Sequence, residues 1–577
     1  MLKIMKYLKP YKMLIWFVVG LTFLQILSQL YLPMLMASIV DKGVIGKDLG
    51  FILKTGLIML AFSVVVSICM IAARLYASKT GVGFARDIRK DIFTSVEEFS
   101  LREFDEIGTS SLITRSTNDV TQIQNVMVML LTMFIMAPLT AIGGVIMALR
   151  TDIGISWIIL LAIAVLGLFL GLIAAKGIPL FKLFQSKLDK INLILRESLS
   201  GIRIIRAFNR EEYEDKRFDE SNLDLANTSI KVYRIMSALL PVFMVVMNVT
   251  TVAIVWFGAQ RVDIGSLKIG EMMAYQQYVM QIMFSLIMAA MMFVMIPRAA
   301  VSADRILEIL EMKHVIVDPE DPMRASSMKG NVQFKNVGFI YEGAQQPVLN
   351  NINFTAKPGQ VTAIIGSTGC GKTTLVNLIP RFYDATEGVV LVDGIDVKNQ
   401  KRKELREKIG LVPQKINLFT GTIKHNIKFG REDATDEQIK EAIETAQASE
   451  FVDGLEKGIE TDVSQDGANF SGGQRQRLSI ARALLRKPEI YIFDDSFSAL
   501  DFTTDAKLRG AIKSDIKNAT VFIVAQRVTT VRNADQIIVL DQGQIVGLGK
   551  HETLIKTCEV YKEIVSSQLS DEEVSRS

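Results

Sequence analysis

Histidine and cysteine are scarce in this 577-residue chain, with three of each. Cys69, Cys370 and Cys558 are too few and too scattered for a disulfide framework or a zinc site. His314, His425 and His551 are equally dispersed, so no histidine-based metal centre is expected. Charge of one sign is also missing: 65 Lys and Arg against 61 Asp and Glu leave a formal +4. The basic residues form no stripe interleaved with aromatics, which argues against nucleic acid as a partner. Apolar residues are what the chain has in excess. It is 49% hydrophobic with mean hydropathy +0.29, high for a wholly soluble protein.

That excess lies before about residue 300. Six apolar runs reach the roughly 20 residues a membrane helix needs: 14–40, 52–77, 127–149, 153–175, 236–259 and 275–297. The first follows the basic leader MLKIMKYLKPYK, outlasts a signal-peptide core, and reads as a retained span. Lysines and arginines crowd the leader and the connections after the second and fourth runs, while the opposite connections are short. The positive-inside rule therefore puts the N-terminus, both long connections and the C-terminal half in the cytoplasm of a multi-pass cell (inner) membrane protein. The long connections keep a helical period and break at FDEIGTSSLI and FNREEYEDKRF, as helical hairpins with short tips would. Runs five and six are rich in methionine, among them Met244, Met247, Met280 and Met283, which suits varied apolar ligands as well as ordinary packing. Ionisable residues are almost missing inside the runs, against an ion relay or an anion channel.

Composition changes across HVIVDPEDPMRASS. The expected division is a membrane domain at 1–311, a linker at 312–328, a nucleotide-binding domain at 329–566 and a polar tail at 567–577. Within the third segment QVTAIIGSTGCGKTTLVNLI reads as strand, glycine-rich loop and helix. The loop runs Gly366, Ser367, Thr368, Gly369, Cys370, Gly371, Lys372, Thr373, Thr374. Its glycines let backbone N–H groups wrap phosphates, and the helix start favours negative charge. Lys372 would neutralise the β- and γ-phosphates of ATP, and the Thr373 hydroxyl would ligate Mg2+. The apolar strand EIYIFDD ends on Asp494, placed for the magnesium shell, and Asp495. Between them NFSGGQRQRLSIARALL opens a second helix at Ser471, Gly472 and Gly473. One domain needs one phosphate site, so a second helix start of this kind suggests a phosphate brought by another copy of the domain.

GSTGCGKTT, SGGQRQR and DDSFSALD, in this order, resemble the nucleotide-binding domain of an ABC transporter. With six spans ahead of it the whole chain is similar to an ABC exporter half-transporter. The fold class this implies is a six-helix transmembrane domain followed by an α/β P-loop ATPase domain with a helical subdomain. By the same resemblance Tyr341 stacks on adenine, and Gln414 contacts magnesium and the attacking water. Ser471, Gly472, Gly473 and Gln474 complete a partner subunit's ATP site, and Asp501 is exchanged across the dimer. The breaks near 105–112 and 207–216 correspond to coupling helices.

Two positions depart from the family pattern. Asp495 stands where a glutamate base is usual, one methylene short, and Gln526 stands where a switch histidine precedes Arg527. Losing general-base assistance costs about 10²–10⁴ in rate. The expectation is a site that binds ATP and hydrolyses it poorly, with an intact SGGQ serving a second half-transporter that carries glutamate and histidine. That pattern resembles the degenerate-site subunit of a bacterial heterodimeric ABC multidrug exporter of amphipathic compounds, working by alternating access. A slow homodimer, a lipid flippase and an ATP-gated channel are the alternatives.

Overall fold

The computed structural model describes residues 3–323 and 329–568. The tail from 569 onward and linker residues 324–328 lie outside these. The chain divides into two compact units, Met1–Glu97 with Gly108–Met312, and Glu98–Ile107 with Lys313–Ser577.

In the first unit six helices are long and apolar enough to span a membrane. They are Ile4–Val44, Leu49–Glu98, Thr109–Thr151, Trp157–Ser200, Glu211–Asp263 and Ile269–Leu310, of 41 to 53 residues. At 1.5 Å per residue each is about 60–80 Å long, roughly twice the hydrocarbon thickness of about 30 Å. The surplus turns are the charged, helix-periodic connections. Leucines such as Leu57, Leu160 and Leu168 stay exposed on the apolar faces, as lipid-facing residues do.

Small residues let the interior helices approach. A Cβ on Gly144 of span three would stand 2.7 Å from the Ile282 Cγ1 of span six. The Tyr278 hydroxyl, buried on span six, donates to the Leu30 carbonyl of span one at 3.1 Å. At the span ends the contacts turn polar. Asp41 accepts from the Gly270 N–H at 2.7 Å, satisfying an open donor at the start of span six. Arg261 pairs with the buried Asp152 at 2.8 Å. Span three carries two π-helical turns, Arg115–Asp119 and Leu130–Phe134. The first holds Asp119 against the Ser302 hydroxyl at 2.9 Å, and Arg115 against Glu308 at 2.6 Å.

The second unit is built on two main sheets. An antiparallel sheet has the order β2 (Leu349–Ala356), β1 (Val332–Phe339), β4 (Glu387–Val392), β5 (Ile395–Asp396). A six-stranded sheet has the order β12 (Gln544–Gly549), β11 (Gln536–Asp541), β3 (Val361–Gly366), β10 (Thr520–Val524), β9 (Ile490–Asp494), β6 (Ile409–Val412). A small pair, β7 (Gly421–Thr422) and β8 (Asp462–Val463), lies beside the helical part. Strands β11, β3, β10, β9 and β6 run parallel. Strands β9 and β10 are buried at every residue, which is why they read as unbroken apolar runs rather than alternation.

Residues 98–107 belong to this ATPase unit although they separate two spans in the chain. Their short helix, Leu101–Ile107, starts at a Ser-x-x-Glu box: the Ser100 N–H donates to Glu103 at 2.7 Å, and the Ser100 hydroxyl also donates to it. The other oxygen of Glu103 accepts from the Val315 N–H at 2.7 Å. Burial works against this charge, but the bonds from Ser100 and Val315 prevail and hold the carboxyl below the usual glutamate range. His314 Nε2 lies 3.5 Å from Glu98, and Arg102 pairs with Glu342 beside Tyr341. Glu103→Ala leaves the buried Ser100 N–H and the part-buried Val315 N–H without an acceptor and should cost the ATPase unit about 1–3 kcal/mol, read as a lower denaturant midpoint at unchanged m-value. Its folded pKa being depressed, the contribution is present above the unfolded pKa and lost as pH falls through the folded one. The difference between wild type and variant should shrink accordingly in acid.

Candidate active site

The parallel sheet places the candidate residues by register. Val524 lies opposite Ile364 on one side and Asp494 on the other, and Val412 lies opposite Phe493. The carboxyl ends of β3, β10, β9 and β6 are therefore level. Gly366 ends β3, and a residue or two beyond the other three come Gln526, Asp495 and Gln414. Open α/β sheets bind ligands at this edge.

The phosphate loop leaves β3 at Gly366, where a Cβ would meet the Leu540 carbonyl oxygen at 2.1 Å. Gly369 and Gly371 have φ of +85° and +100°, left-handed values that other residues adopt only under strain. The loop then feeds the helix Lys372–Asn377. Lys372 folds back over the loop, donating to the Gly366 and Ser367 carbonyls at 2.9 and 2.7 Å. Cys370 is buried, and that burial pushes its thiol pKa up against the influence of Lys372, so it stays protonated.

Thr373 and Asp494 meet at the loop's far side, hydroxyl to carboxylate at 3.1 Å. Among the described residues no group of three His, Cys, Asp or Glu side chains could hold a metal alone. A hydroxyl and one carboxylate fit an octahedral Mg2+ that takes its other oxygens from water and phosphates. When bound there with ATP, Mg2+ would offset the charge of the β- and γ-phosphates. Burial first, then neighbouring Asp495, raises the pKa of Asp494, while Thr373 opposes. Protons should therefore compete with Mg2+ unusually early. Mg2+-dependent ATP binding should begin to weaken on acidification above the ordinary aspartate value of about 4, in titrations downward from neutral pH. A loss centred at or below that value would contradict this electrostatic account.

Asp495 follows in a left-handed conformation, φ +48°, its N–H held by the Val524 carbonyl at 3.0 Å. Its carboxylate accepts from Gln526 Nε2 at 3.2 Å and from the Gln414 side chain. Burial raises its pKa against the bond from Gln414 and the charges of Lys372 and Arg527. The two positions that depart from the family pattern, 31 residues apart in sequence, thus touch each other.

Tyr341 follows β1, with its ring half-exposed and edge-on to Phe339 and Tyr383. Its hydroxyl lies 3.0 Å from that of Thr374, so it borders the phosphate loop. Ser471, Gly472, Gly473 and Gln474 open the helix Gly472–Leu485, and among the described residues no hydrogen bond joins them to that loop. Ser471 and Gln474 instead form a capping box, with bonds of 2.9 and 3.3 Å. The Ser471 hydroxyl accepts there, leaving its own proton free to donate outward. Asp501 caps the helix Phe502–Asp515 through Thr504 N–H at 2.9 Å, a bond that lowers its pKa. The break near 207–216 is a short helix, Ile202–Ala207, and a turn at Asn209 before Glu211, with Ile204, Phe208 and Tyr213 exposed.

Sequence reasoning missed Glu103 and Gln568, which accept or donate to backbone near these segments. The Ser-x-x-Glu spacing at 100–103 could have revealed the first; no motif marks the second.

Two family models match: the ABC transporter transmembrane region over residues 15–286, and ABC transporter over 349–498. The chain is 42% identical over 567 residues to an uncharacterised ABC transporter ATP-binding protein of Mycobacterium tuberculosis, covering 98% of this chain and 97% of that one. It is 37% identical over 572 residues to YfiB of Bacillus subtilis, described in the same words, with 99% of each covered. An ATP-dependent lipid A-core flippase of Chromobacterium violaceum is 30% identical over 538 residues, 93% and 92% covered. Among solved structures, a bacterial Atm1-family ABC exporter with ATP bound superposes with a TM-score of 0.80 at 24% identity, over 98% of this chain and 99% of that one. That last likeness concerns the fold.

Proposed function

Because the chain belongs to the ABC transporter family, as a half-transporter with a six-span exporter-type membrane domain fused to a P-loop ATPase domain, we propose that it is the ATP-retaining subunit of a heterodimeric exporter. In this reading the loop Gly366–Thr374 holds the phosphates, Tyr341 the adenine, and Thr373, Asp494 and Gln414 the Mg2+. The site binds ATP and turns it over slowly. Its Ser471–Gln474 helix start completes the ATP site of a second half-transporter carrying glutamate and histidine where this chain has Asp495 and Gln526. Asp501 sits at the interface between them.

The observation that carries the reading is the contact between Asp495 and Gln526 at 3.2 Å. A general base must reach the attacking water. Here the shorter carboxylate is engaged by two amides, and neither amide can carry a proton. Exposed Ile204, Phe208 and Tyr213 at the tip of the second hairpin are compatible with a second subunit that covers them.

The cargo class is amphipathic or hydrophobic compounds, moved outward across a cell membrane with the N-terminus and the ATPase unit on the cytoplasmic side. Closure of two ATPase units around nucleotide drives the membrane helices from inward- to outward-facing, and hydrolysis at the partner's site resets them. A lipid cargo is the second reading, favoured by the 30% identity to a lipid A-core flippase.

Steady-state ATP hydrolysis by this chain alone in lipid nanodiscs, with labelled-ATP binding as control, tests the proposal. Binding with almost no turnover is expected. Turnover near 1 s⁻¹ or faster, within the usual enzyme range, would make Asp495 and Gln526 sufficient and the subunit a homodimer.

A further inference from the structure

The last described helix, Glu559–Gln568, is fastened to the ATPase unit by its apolar face. Tyr561 and Val565 are fully buried in the same core cluster as Val521, Ile523 and Val528. Its base is pinned by the His551 ring, whose Nδ1 lies 2.7 Å from the Tyr561 hydroxyl. The far end of the helix is Gln568, whose side chain turns to the loop after β10. Nε2 donates to the Gln526 carbonyl at 2.8 Å, and Oε1 accepts from the Val528 N–H at 2.9 Å.

Those two backbone groups bracket Arg527. The sheet no longer supports them: the Ala525 N–H, bonded to the Ile364 carbonyl at 3.1 Å, is the last bond to the neighbouring strand β3. Val528 begins the four-residue helix Val528–Val531, whose N-cap, Arg527, offers no side-chain cap. The Val528 N–H is thus an open helix-start donor. A primary amide donates and accepts in one plane, so a single side chain replaces both the missing strand partner and the missing cap. On the site side of the same loop Gln526 touches Asp495 at 3.2 Å and Arg527 donates to the Ser498 carbonyl at 3.3 Å.

We infer that Gln568 is a positioning residue of the ATP site, clamping the backbone on both sides of Arg527 and so fixing where Gln526, the residue at the switch-histidine position, faces the γ-phosphate. The inference rests on the proposed function, with residue 526 at the switch-histidine position that the family resemblance sets against the γ-phosphate. It makes the C-terminal helix a strut of the nucleotide site rather than a trailing segment.

The test uses the full chain in nanodiscs with Gln568→Met, which keeps length and helix propensity but neither donates nor accepts, beside Gln568→Ala. Affinities for ATP and ADP are measured together with amide exchange of residues 526–531. With both bonds gone, ATP should bind about three- to tenfold more weakly while ADP, lacking the γ-phosphate, binds as before. Exchange should quicken in 526–531 alone. An unchanged ATP-to-ADP ratio, or equal losses of both nucleotides, would overturn the positioning role. Gln526→Ala and Arg527→Ala separate the two levels of the argument. If neither alters the ratio, the reading of the loop fails and takes the inference with it. If they do and Gln568→Met does not, the inference alone fails.

Discussion

Replacing Asp495 by glutamate and Gln526 by histidine in one chain should raise ATP turnover by about 10²-fold, the lower end of what general-base assistance supplies. Each change removes a different obstacle. The added methylene carries the carboxylate closer to where the attacking water must sit. The histidine replaces an amide that holds that carboxylate at 3.2 Å. Neither single variant should recover much, because a glutamate still tied to Gln526 is held away from water, and a histidine beside Asp495 orients a base that is too short. The backbone at 495 already stands at φ +48°, a conformation aspartate tolerates better than glutamate. Part of the gain is therefore lost to strain, and turnover at the high end of the range is not expected. Groups that act as a unit are non-additive, so the signature of success is a double variant exceeding the product of the singles. Equal rates for all four proteins, at equal ATP binding, would place the bottleneck elsewhere.

Gly473→Asp should have an effect of similar size and opposite sign, seen only in the assembled transporter. A Cβ at Gly473 would stand 3.2 Å from the Ala499 carbonyl oxygen, so any side chain must lean away from that turn. A carboxylate there sits in the first turn of the helix Gly472–Leu485. That turn's open N–H groups favour negative charge, so the variant supplies its own anion where a phosphate would dock. ATP hydrolysis by the two-subunit complex should fall about 10²–10³-fold, the scale of losing oriented donors to a reacting anion. ATP binding at this chain's own phosphate loop should persist. Photolabelling each subunit with a nucleotide analogue distinguishes the two sites; loss of label on this chain instead would mean that the signature helix serves its own loop.

Much of this architecture is legible in the sequence because it follows from local patterns. Apolar runs of bilayer length show as spans, and helix-periodic charge shows that the helices outrun the bilayer. The glycines of GSTGCGKTT mark left-handed turns at 369 and 371. Strand-end residues such as Asp494 stand out because buried parallel strands are apolar throughout. What pairs with what is another matter. That Asp495 meets Gln526 depends on the register of β9 against β10, which no local pattern specifies. Glu103 carries a capping signature, yet its second partner, Val315, is 212 residues away. The clamp by Gln568 depends on where the helix Glu559–Gln568 ends, and one amide in a polar stretch carries no such information. The π-helical turns of span three are equally silent, since an extra backbone residue in a turn leaves no compositional trace.

The tie between Glu103 and Val315 bears on how the chain could be cut. Residues 98–107 hang between spans two and three, and Val315 follows span six by five residues. Three of the six spans are therefore leashed to the ATPase unit within a few residues of one carboxylate, only one of them through the linker peptide itself. Severing the backbone between Leu310 and Lys313 would leave two leashes whole. In such a layout the peptide after span six is one of three chain segments that enter the ATPase unit, and not the only one.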